Sequence, residues 1–132
     1  MPPLPPLVPP PTLEIFYSPS CAPCRAELPV LAEFASQDGT HVRIIIISEE
    51  VRAREELRAV SPLLESVAES RVEESPGTVL RAAGNSSGIL PYARSIAANG
   101  DVCARWEGRL TLARARDLAT ACARLIASPA PR

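Results

Sequence analysis

Two cysteines separated by two residues are the clearest chemical feature of the sequence. Cys21 and Cys24 enclose Ala22 and Pro23, where a predicted strand passes into a predicted helix. A cysteine at a helix N-terminus faces unpaired backbone N–H groups and the positive end of the helix dipole, which both stabilise its thiolate. Because the thiolate is the form that attacks disulfides, the pattern predicts dithiol–disulfide redox chemistry, with Cys21 as the nucleophile and Cys24 as the resolving thiol.

Half of a zinc site and an inert structural disulfide are the alternatives for this pair. A zinc ribbon repeats its Cys-x-x-Cys motif, whereas the two other cysteines, Cys103 and Cys122, stand 19 positions apart. We expect these two to be small buried hydrophobic residues, with a disulfide between them as the alternative. His41 is the only histidine, and we expect it on the surface at a strand end rather than in a metal or catalytic site.

The motif belongs to a chain in which strand and helix patterns alternate. Runs rich in β-branched residues predict strands, and apolar residues at helical spacing predict helices. Pro29 should kink the first helix because it cannot donate a backbone hydrogen bond, and Asn99-Gly100 predicts a tight hairpin turn. The predicted strands are 13–17, 42–47, 92–97 and 102–106; the predicted helices are 22–37, 51–70 with a break near Ser61-Pro62, 78–83 and 110–127.

The order of these elements, β-α-β-α-(α)-β-β-α, predicts the architecture. Strands joined by helices pair in parallel, and strands joined by a tight turn pair antiparallel. We therefore expect an α/β fold of three layers, with a mixed central sheet and helices on both faces.

Composition narrows the class of protein. The chain has 132 residues, which suits one domain, and 46% of them are hydrophobic, as is usual for a globular protein. The net charge is −1, from 14 basic and 15 acidic residues, so nothing in the charge balance indicates a nucleic-acid partner. No apolar run approaches the roughly 20 residues that a membrane-spanning helix needs.

Proline is concentrated at the N-terminus, where residues 1–11 hold seven of the 15 prolines. Proline fixes φ and lacks an N–H, so this segment predicts a semi-rigid polyproline II linker. It has no basic start and no uninterrupted apolar core, so we do not expect a signal peptide there, and we expect any leader or anchor to be missing from this chain. The expected domain spans residues 12–128, and residues 129–132 form a short tail.

Two segments carry a resemblance to a known family. The run from Phe16 to Pro29 resembles the active-site segment of the thioredoxin superfamily, and it is most similar to the TlpA/ResA-like motif C-x-P-C-R-x-E-x-P. The run from Gly84 to Tyr92, followed by Asn99-Gly100, resembles the second signature of that branch, which carries a cis-proline. The two signatures occur in the family's order, and together they cover most of residues 13–127.

The resemblance implies roles for particular residues. Pro91 would be the cis-proline that shapes the substrate groove, and Leu90 would offer backbone hydrogen bonds to an extended substrate segment. Glu27 would tune the cysteines or relay protons, although a solvated helix acid or an ion pair with an arginine is the alternative. The remaining substrate-binding residues would be Ser20, Ala22, Pro23 and Tyr92.

The resemblance also implies a biological setting. The domain would be a protein-disulfide oxidoreductase that reduces disulfides on partner proteins and contributes to cell redox homeostasis. It would work in the bacterial periplasm or at the extracytoplasmic membrane face, with electrons from a membrane dithiol donor. No metal and no dissociable cofactor are implied beyond the redox-active Cys21–Cys24 disulfide, and we expect a monomer.

Several residues depart from the family pattern. Ser20 replaces a frequent Trp, and Tyr92 replaces a common Thr. Ile15 stands where thioredoxin itself has a buried Asp, and we expect its neighbour Glu14 near the wet end of the strand rather than as a relocated acid.

Two other functions stay open at this point. Ser18 occupies the Thr position of the T-x-x-C motif of peroxiredoxins, so a peroxiredoxin-like peroxidase is one alternative. A non-catalytic thioredoxin-fold binding or chaperone module is the other.

Overall fold

The computed structural model describes residues 10–37 and 41–127 of the chain. The predicted C-terminal tail, and the predicted N-terminal linker except for Pro10 and Pro11, lie outside the described residues. The strands are β1 Thr12–Tyr17, β2 His41–Ile46, β3 Ala68–Ser70, β4 Tyr92–Ile96 and β5 Val102–Glu107. The helices are α1 Ala22–Ala26, α2 Leu28–Ala35, α3 Glu50–Val60, α4 Pro62–Ser66, α5 Pro76–Ala82 and α6 Leu112–Ala127.

The strands form one mixed sheet in the order β3-β2-β1-β4-β5. Strand β1 pairs in parallel with β2, and β2 pairs in parallel with β3. Strand β4 runs antiparallel to β1 and to β5. The predicted mixed central sheet is therefore confirmed.

The side chains of β1 alternate between two buried faces of the sheet. Leu13, Ile15 and Tyr17 join a large apolar cluster with residues of α1, α2, α3, α4 and α6. Phe16 points the other way and packs with residues of β2 and α5. Burial on both faces explains the apolar runs Ile15–Tyr17 of β1 and Ile44–Ile46 of β2, and it confirms the prediction of helices on both sides of the sheet.

The first predicted helix, 22–37, is divided at Glu27. Pro29 occupies the first turn of α2 and has no N–H to donate to the carbonyl of Arg25. That carbonyl instead accepts a hydrogen bond from the backbone N–H of Glu27, which ends α1. The predicted kink is thus a break, and it turns the Glu27 side chain into the protein.

The prediction of helix through residues 51–70 is wrong at its C-terminal end. Ser61 ends α3 and caps α4 by accepting a hydrogen bond from the backbone N–H of Leu63. Residues 68–70 then form β3, which pairs with Ile44–Ile46. A three-residue edge strand is too short to show an alternating pattern, so pairing with β2 decides its conformation.

No helix in the described part of the chain is long and apolar enough to cross a membrane.

The expectation that Cys103 and Cys122 are unpaired is also wrong, because they form a disulfide between β5 and α6. Ser95 pairs with Ala104 and Ile96 pairs with Val102, so Cys103 is an extra residue in β5. Ala104 packs on the cluster beneath α6. Strict alternation would turn its neighbour Cys103 to the opposite face, and the bulge removes that constraint.

Candidate active site

Cys21 and Cys24 have unequal surroundings. Cys21 is the N-cap of α1, and its sulfur accepts a hydrogen bond from the backbone N–H of Cys24 at 3.2 Å. The two residues form a disulfide with their Cα atoms 5.2 Å apart. Cys24 is 2% exposed, whereas Cys21 is partly exposed between the exposed residues Ser20, Ala22 and Pro23. An incoming thiol or thiolate therefore reaches the sulfur of Cys21 first.

Serine hydroxyls fix the turn between β1 and α1. The carbonyl of Ser18 accepts a hydrogen bond from the N–H of Cys21 at 3.0 Å. Its buried hydroxyl bonds to the hydroxyls of Ser20 at 2.8 Å and Ser48 at 2.7 Å. Ser48 follows β2, and the parallel pairing of β1 with β2 brings it to this edge of the sheet. Only that pairing identifies Ser48 as part of the site.

Glu27 is buried beside the loop between β5 and α6. It is 2% exposed, and its Oε2 accepts a hydrogen bond from the backbone N–H of Leu110 at 2.7 Å. Burial raises the pKa of Glu27 to about 7, although the Leu110 N–H and the charge of Arg109 act in the opposite direction. The alternative of a solvated helix acid is wrong, because the break after α1 points this carboxyl group inward.

Tyr17 joins the end of β1 to α3. Its hydroxyl donates a hydrogen bond to Oε1 of Glu56 at 2.5 Å. Burial, together with this bond, raises the pKa of Tyr17, so the phenol stays protonated. Its ring lies in the same apolar cluster as Cys24. The partners are 39 positions apart, and no local pattern in the sequence predicts this pair.

Glu14 lies inside the protein, which contradicts its expected place at a wet strand end. It is 1% exposed and forms ion pairs with Arg94 at 2.8 Å and Arg43 at 3.2 Å. Both arginines stand opposite Glu14 in the register of the neighbouring strands. Glu14 therefore belongs to a cross-strand ion-pair network on the sheet face opposite Ile15 and Tyr17.

The Leu90–Pro91 peptide bond is cis. Tyr92 pairs with Phe16, so the start of β4 lies beside the end of β1 that leads to the cysteines. The carbonyl of Pro91 accepts a hydrogen bond from the N–H of Gly108 at 2.8 Å. Leu90 is partly buried and packs, like Cys21, against the large apolar cluster. The predicted site residues Cys21, Leu90 and Pro91 therefore lie at the same end of the sheet.

The side chain of Tyr92 packs inside the fold. It is 1% exposed, its ring centre is 5.4 Å from that of Phe16, and its hydroxyl donates to the carbonyl of Ala83 at 2.8 Å. Its side chain therefore supports the neighbouring loop from within and does not line the protein surface.

The remaining candidate residues do not form a metal site. His41 is exposed at the first position of β2. Within residues 10–37 and 41–127, no group of three or more His, Cys, Asp or Glu side chains is arranged to hold a metal ion.

Solved structures share this fold. A thioredoxin-related protein from Neisseria meningitidis serogroup B superposes with a TM-score of 0.72 at 18% identity, covering 89% of each chain. StoA from Bacillus subtilis gives a TM-score of 0.61 at 15% identity, covering 89% of this chain and 85% of its own. The chain has a thioredoxin-like fold.

A third match is a secreted Mycobacterium tuberculosis disulfide oxidoreductase homologous to E. coli DsbE. Its TM-score is 0.60 at 16% identity, and the superposition covers 89% of this chain and 84% of that one. No protein-family model matches the sequence, and no curated protein sequence matches it. The relationship therefore rests on the fold.

Proposed function

We propose that this domain is a thiol–disulfide oxidoreductase that exchanges the Cys21–Cys24 pair with disulfides of partner proteins. The observation that carries the proposal is the unequal exposure of the two cysteines at the start of α1. Cys21 is partly exposed and caps the helix, whereas Cys24 is buried one turn below it. A nucleophile must reach its substrate, and a resolving thiol must reach only the mixed disulfide.

The reaction begins from the dithiol form. The thiolate of Cys21 attacks one sulfur of the substrate disulfide, forming a mixed disulfide and releasing the other substrate sulfur as a thiolate. Cys24 then loses its proton and attacks the sulfur of Cys21, which releases the second substrate thiolate. The substrate gains two electrons, and the domain ends as the Cys21–Cys24 disulfide seen in the structure.

Glu27 is suited to take the proton that Cys24 must lose. It stands three positions after Cys24 and has a pKa of about 7, so it exchanges protons at neutral pH. In the carboxylate form it accepts a proton; in the acid form it returns one to the departing substrate thiolate. The Leu110 N–H holds the carboxyl group in place throughout.

The substrate groove is formed by residues around Cys21 and Pro91. Ser20, Ala22 and Pro23 are exposed beside Cys21, which supports contacts with a protein substrate. Leu90 offers its main chain to an extended substrate segment, and Pro91 gives the groove its shape. Tyr92 contributes by supporting the loop from inside the fold.

The proposed setting is the periplasm or the outer face of the bacterial membrane. The second disulfide, Cys103–Cys122, supports this, because such cross-links persist in oxidising compartments. The structural match to a secreted disulfide oxidoreductase is a further support. There the domain acts as a monomeric reductant, receives electrons from a membrane dithiol protein and needs no dissociable cofactor.

Reduction of insulin disulfides by the domain, with dithiothreitol as the electron source, tests the proposal. Wild-type protein should accelerate insulin reduction, and Cys21→Ser should abolish the acceleration. Reduced first, freed of dithiothreitol and then mixed with insulin, Cys24→Ser should retain the first step and accumulate a mixed disulfide through Cys21. The control is Cys103→Ser/Cys122→Ser, which should remain active because it leaves the first pair intact.

The same proteins separate the proposal from its alternatives. Peroxide consumption by Cys24→Ser without insulin reduction by wild-type protein would favour a peroxidase. Partner binding that survives Cys21→Ser, again without insulin reduction, would favour a binding module. Either result would contradict the proposed oxidoreductase.

A further inference from the structure

Asn85 is a fully buried amide in the loop that leads to Pro91. It is 0% exposed. Its Nδ2 donates a hydrogen bond to the carbonyl of Ile89 at 2.8 Å. Its Oδ1 accepts hydrogen bonds from the N–H of Gly88 at 3.1 Å and from the hydroxyl of Ser87 at 2.9 Å. One side chain thus bonds to three successive residues of the loop.

The loop closes around this amide through a left-handed backbone conformation at Gly88, which glycine permits. Gly88 has φ +73°, which residues with a side chain rarely adopt. The hydroxyl of Ser87 also accepts a hydrogen bond from the N–H of Ile89 at 3.3 Å. Because a polar group this deeply buried is costly to leave unpaired, the amide and the loop hold each other in one arrangement.

The base of the loop is fixed to the sheet. The N–H of Asn85 donates to the carbonyl of Leu80 in α5 at 2.8 Å. The carbonyl of Ala83, which follows α5, accepts hydrogen bonds from the hydroxyl of Tyr92 at 2.8 Å and from Arg94 at 3.2 Å. Asn85 therefore links a fixed helix end to the residues just before Pro91.

The residues just before Pro91 are the ones that contact the protein substrate in the proposed function. Leu90 follows directly after the bonded carbonyl of Ile89, and the side chain of Ile89 is 55% exposed. An exposed aliphatic side chain beside a fixed main chain suits an extended substrate segment with an apolar residue near its cysteine. Of the four hydrogen bonds that hold residues 87–89 through a side chain, three are made with the Asn85 amide.

We propose that Asn85 is a positioning residue for protein substrates: its amide fixes the 86–90 loop so that the Leu90 main chain and the Ile89 side chain are presented beside the cysteine pair. This role rests on the proposed oxidoreductase function. Asn85 does not touch the reacting sulfurs. It should therefore affect how a protein substrate binds and leave the chemistry of Cys21 unchanged.

The experiment compares two substrates of Asn85→Ala. With insulin, KM should rise about tenfold, the effect expected when fixed hydrogen-bonding groups are lost from a binding surface, while kcat changes less than about twofold. With a small disulfide such as hydroxyethyl disulfide, which does not span the loop, the rate should stay within about twofold of wild type. The matched control is Asn99→Ala, in the β4–β5 turn, where Oδ1 of Asn99 accepts a hydrogen bond from the N–H of Asp101 at 3.0 Å.

Other outcomes overturn the inference. Equal losses on insulin and on the small disulfide would mean that Asn85 supports the fold alone, and an unchanged KM for insulin would mean that the loop does not need it. If Asn85→Ala does not fold, Ser87→Ala removes one hydrogen bond to the amide and should raise the insulin KM about threefold, with no change on the small disulfide. A wild-type protein inactive on both substrates would instead contradict the proposed function.

Discussion

The two disulfides of this domain are chemically identical bonds in different elements of the fold. Cys21 and Cys24 are three positions apart at the start of a helix, where Cys21 is partly exposed and caps the helix. Cys103 and Cys122 are 19 positions apart and join the edge strand β5, where Cys103 is partly exposed, to α6, where Cys122 is 4% exposed. The first bond closes a small ring, and the second cross-links two elements of the fold.

We expect this difference to make the first disulfide reactive and the second structural. Around Cys21, backbone N–H groups at the start of α1 stabilise the thiolate that reduction produces. Cys122 is buried, which disfavours a thiolate, and Cys103 lies in a strand, where no helix N-terminus stabilises one. The proposed roles of the two disulfides therefore rest on their surroundings rather than on the bond itself.

The largest expected effect is in the rates at which the two disulfides are reduced. Under dithiothreitol at pH 7, Cys21–Cys24 should be reduced about a thousandfold faster than Cys103–Cys122, because the start of α1 stabilises the thiolate of Cys21. Timed alkylation followed by peptide mass spectrometry measures both rates in one sample. Equal rates would break the distinction between a reactive and a structural bond, and the denatured protein is the control in which the difference should disappear.

A second effect, in stability, should run in the opposite order. Cross-links across longer loops restrict the unfolded chain more, so Cys103→Ser/Cys122→Ser should lower the free energy of unfolding by about 3 kcal/mol, against about 2 kcal/mol for Cys21→Ser/Cys24→Ser. Urea unfolding monitored by circular dichroism measures both values against oxidised wild type. A larger loss from the first pair would contradict the structural role of the second.

The distance between interacting residues along the chain explains which features could be predicted from the sequence. The Cys21–Cys24 motif, the kink at Pro29 and the Asn99-Gly100 turn are local signals, and each depends on residues within a few positions of one another. Such signals predicted β1, β2, the hairpin and the mixed sheet. The cysteine pair was correctly located at a strand-to-helix junction for the same reason.

The features that sequence reasoning missed depend on distant partners. Glu27 is buried against a backbone group 83 positions away, and Glu14 is neutralised by arginines on two neighbouring strands. Cys103 reaches Cys122 because a bulge interrupts the alternation of β5. Burial, pairing and bulges are properties of the assembled sheet, so a single sequence without a structure gives no direct sign of them.

The buried acid at the reactive end gives a third, pH-dependent effect. Its pKa of about 7 exceeds the ordinary value of 4.5, so above pH 4.5 the native state keeps a proton that the unfolded chain releases. Stability from this group is therefore present at low pH and lost as pH rises towards 7. Between pH 4 and pH 6, the free energy of unfolding of wild type should fall by about 2 kcal/mol relative to that of Glu27→Gln. Urea unfolding at each pH measures both values.

Glu33→Gln is the matched control, because Glu33 is exposed on α2. The free energy of unfolding of this variant should follow that of wild type between pH 4 and pH 6. If Glu27→Gln kept the same pH dependence as wild type, the carboxyl group would titrate normally, and the proposed proton exchange with Cys24 would lose its basis.

The smallest expected effect tests whether the Cys103–Cys122 region influences the Cys21–Cys24 site. The loop between β5 and α6 connects the two, because its Leu110 N–H binds Glu27. Trp106 Nε1 donates a hydrogen bond to the carbonyl of Arg109 at 3.1 Å, and the guanidinium of Arg114 lies 3.9 Å from the centre of the Trp106 ring. Trp106→Phe removes the hydrogen bond and should lower the free energy of unfolding by about 1 kcal/mol, measured with urea.

The same variant should leave the Glu27 effect unchanged. Leu110 is itself buried, so its N–H should still bind Glu27, and the pH midpoint of the Glu27 effect should stay the same. A shifted midpoint would mean that the cross-linked β5–α6 region tunes the reactive cysteines, which would replace the picture of two independent disulfides with a coupled one.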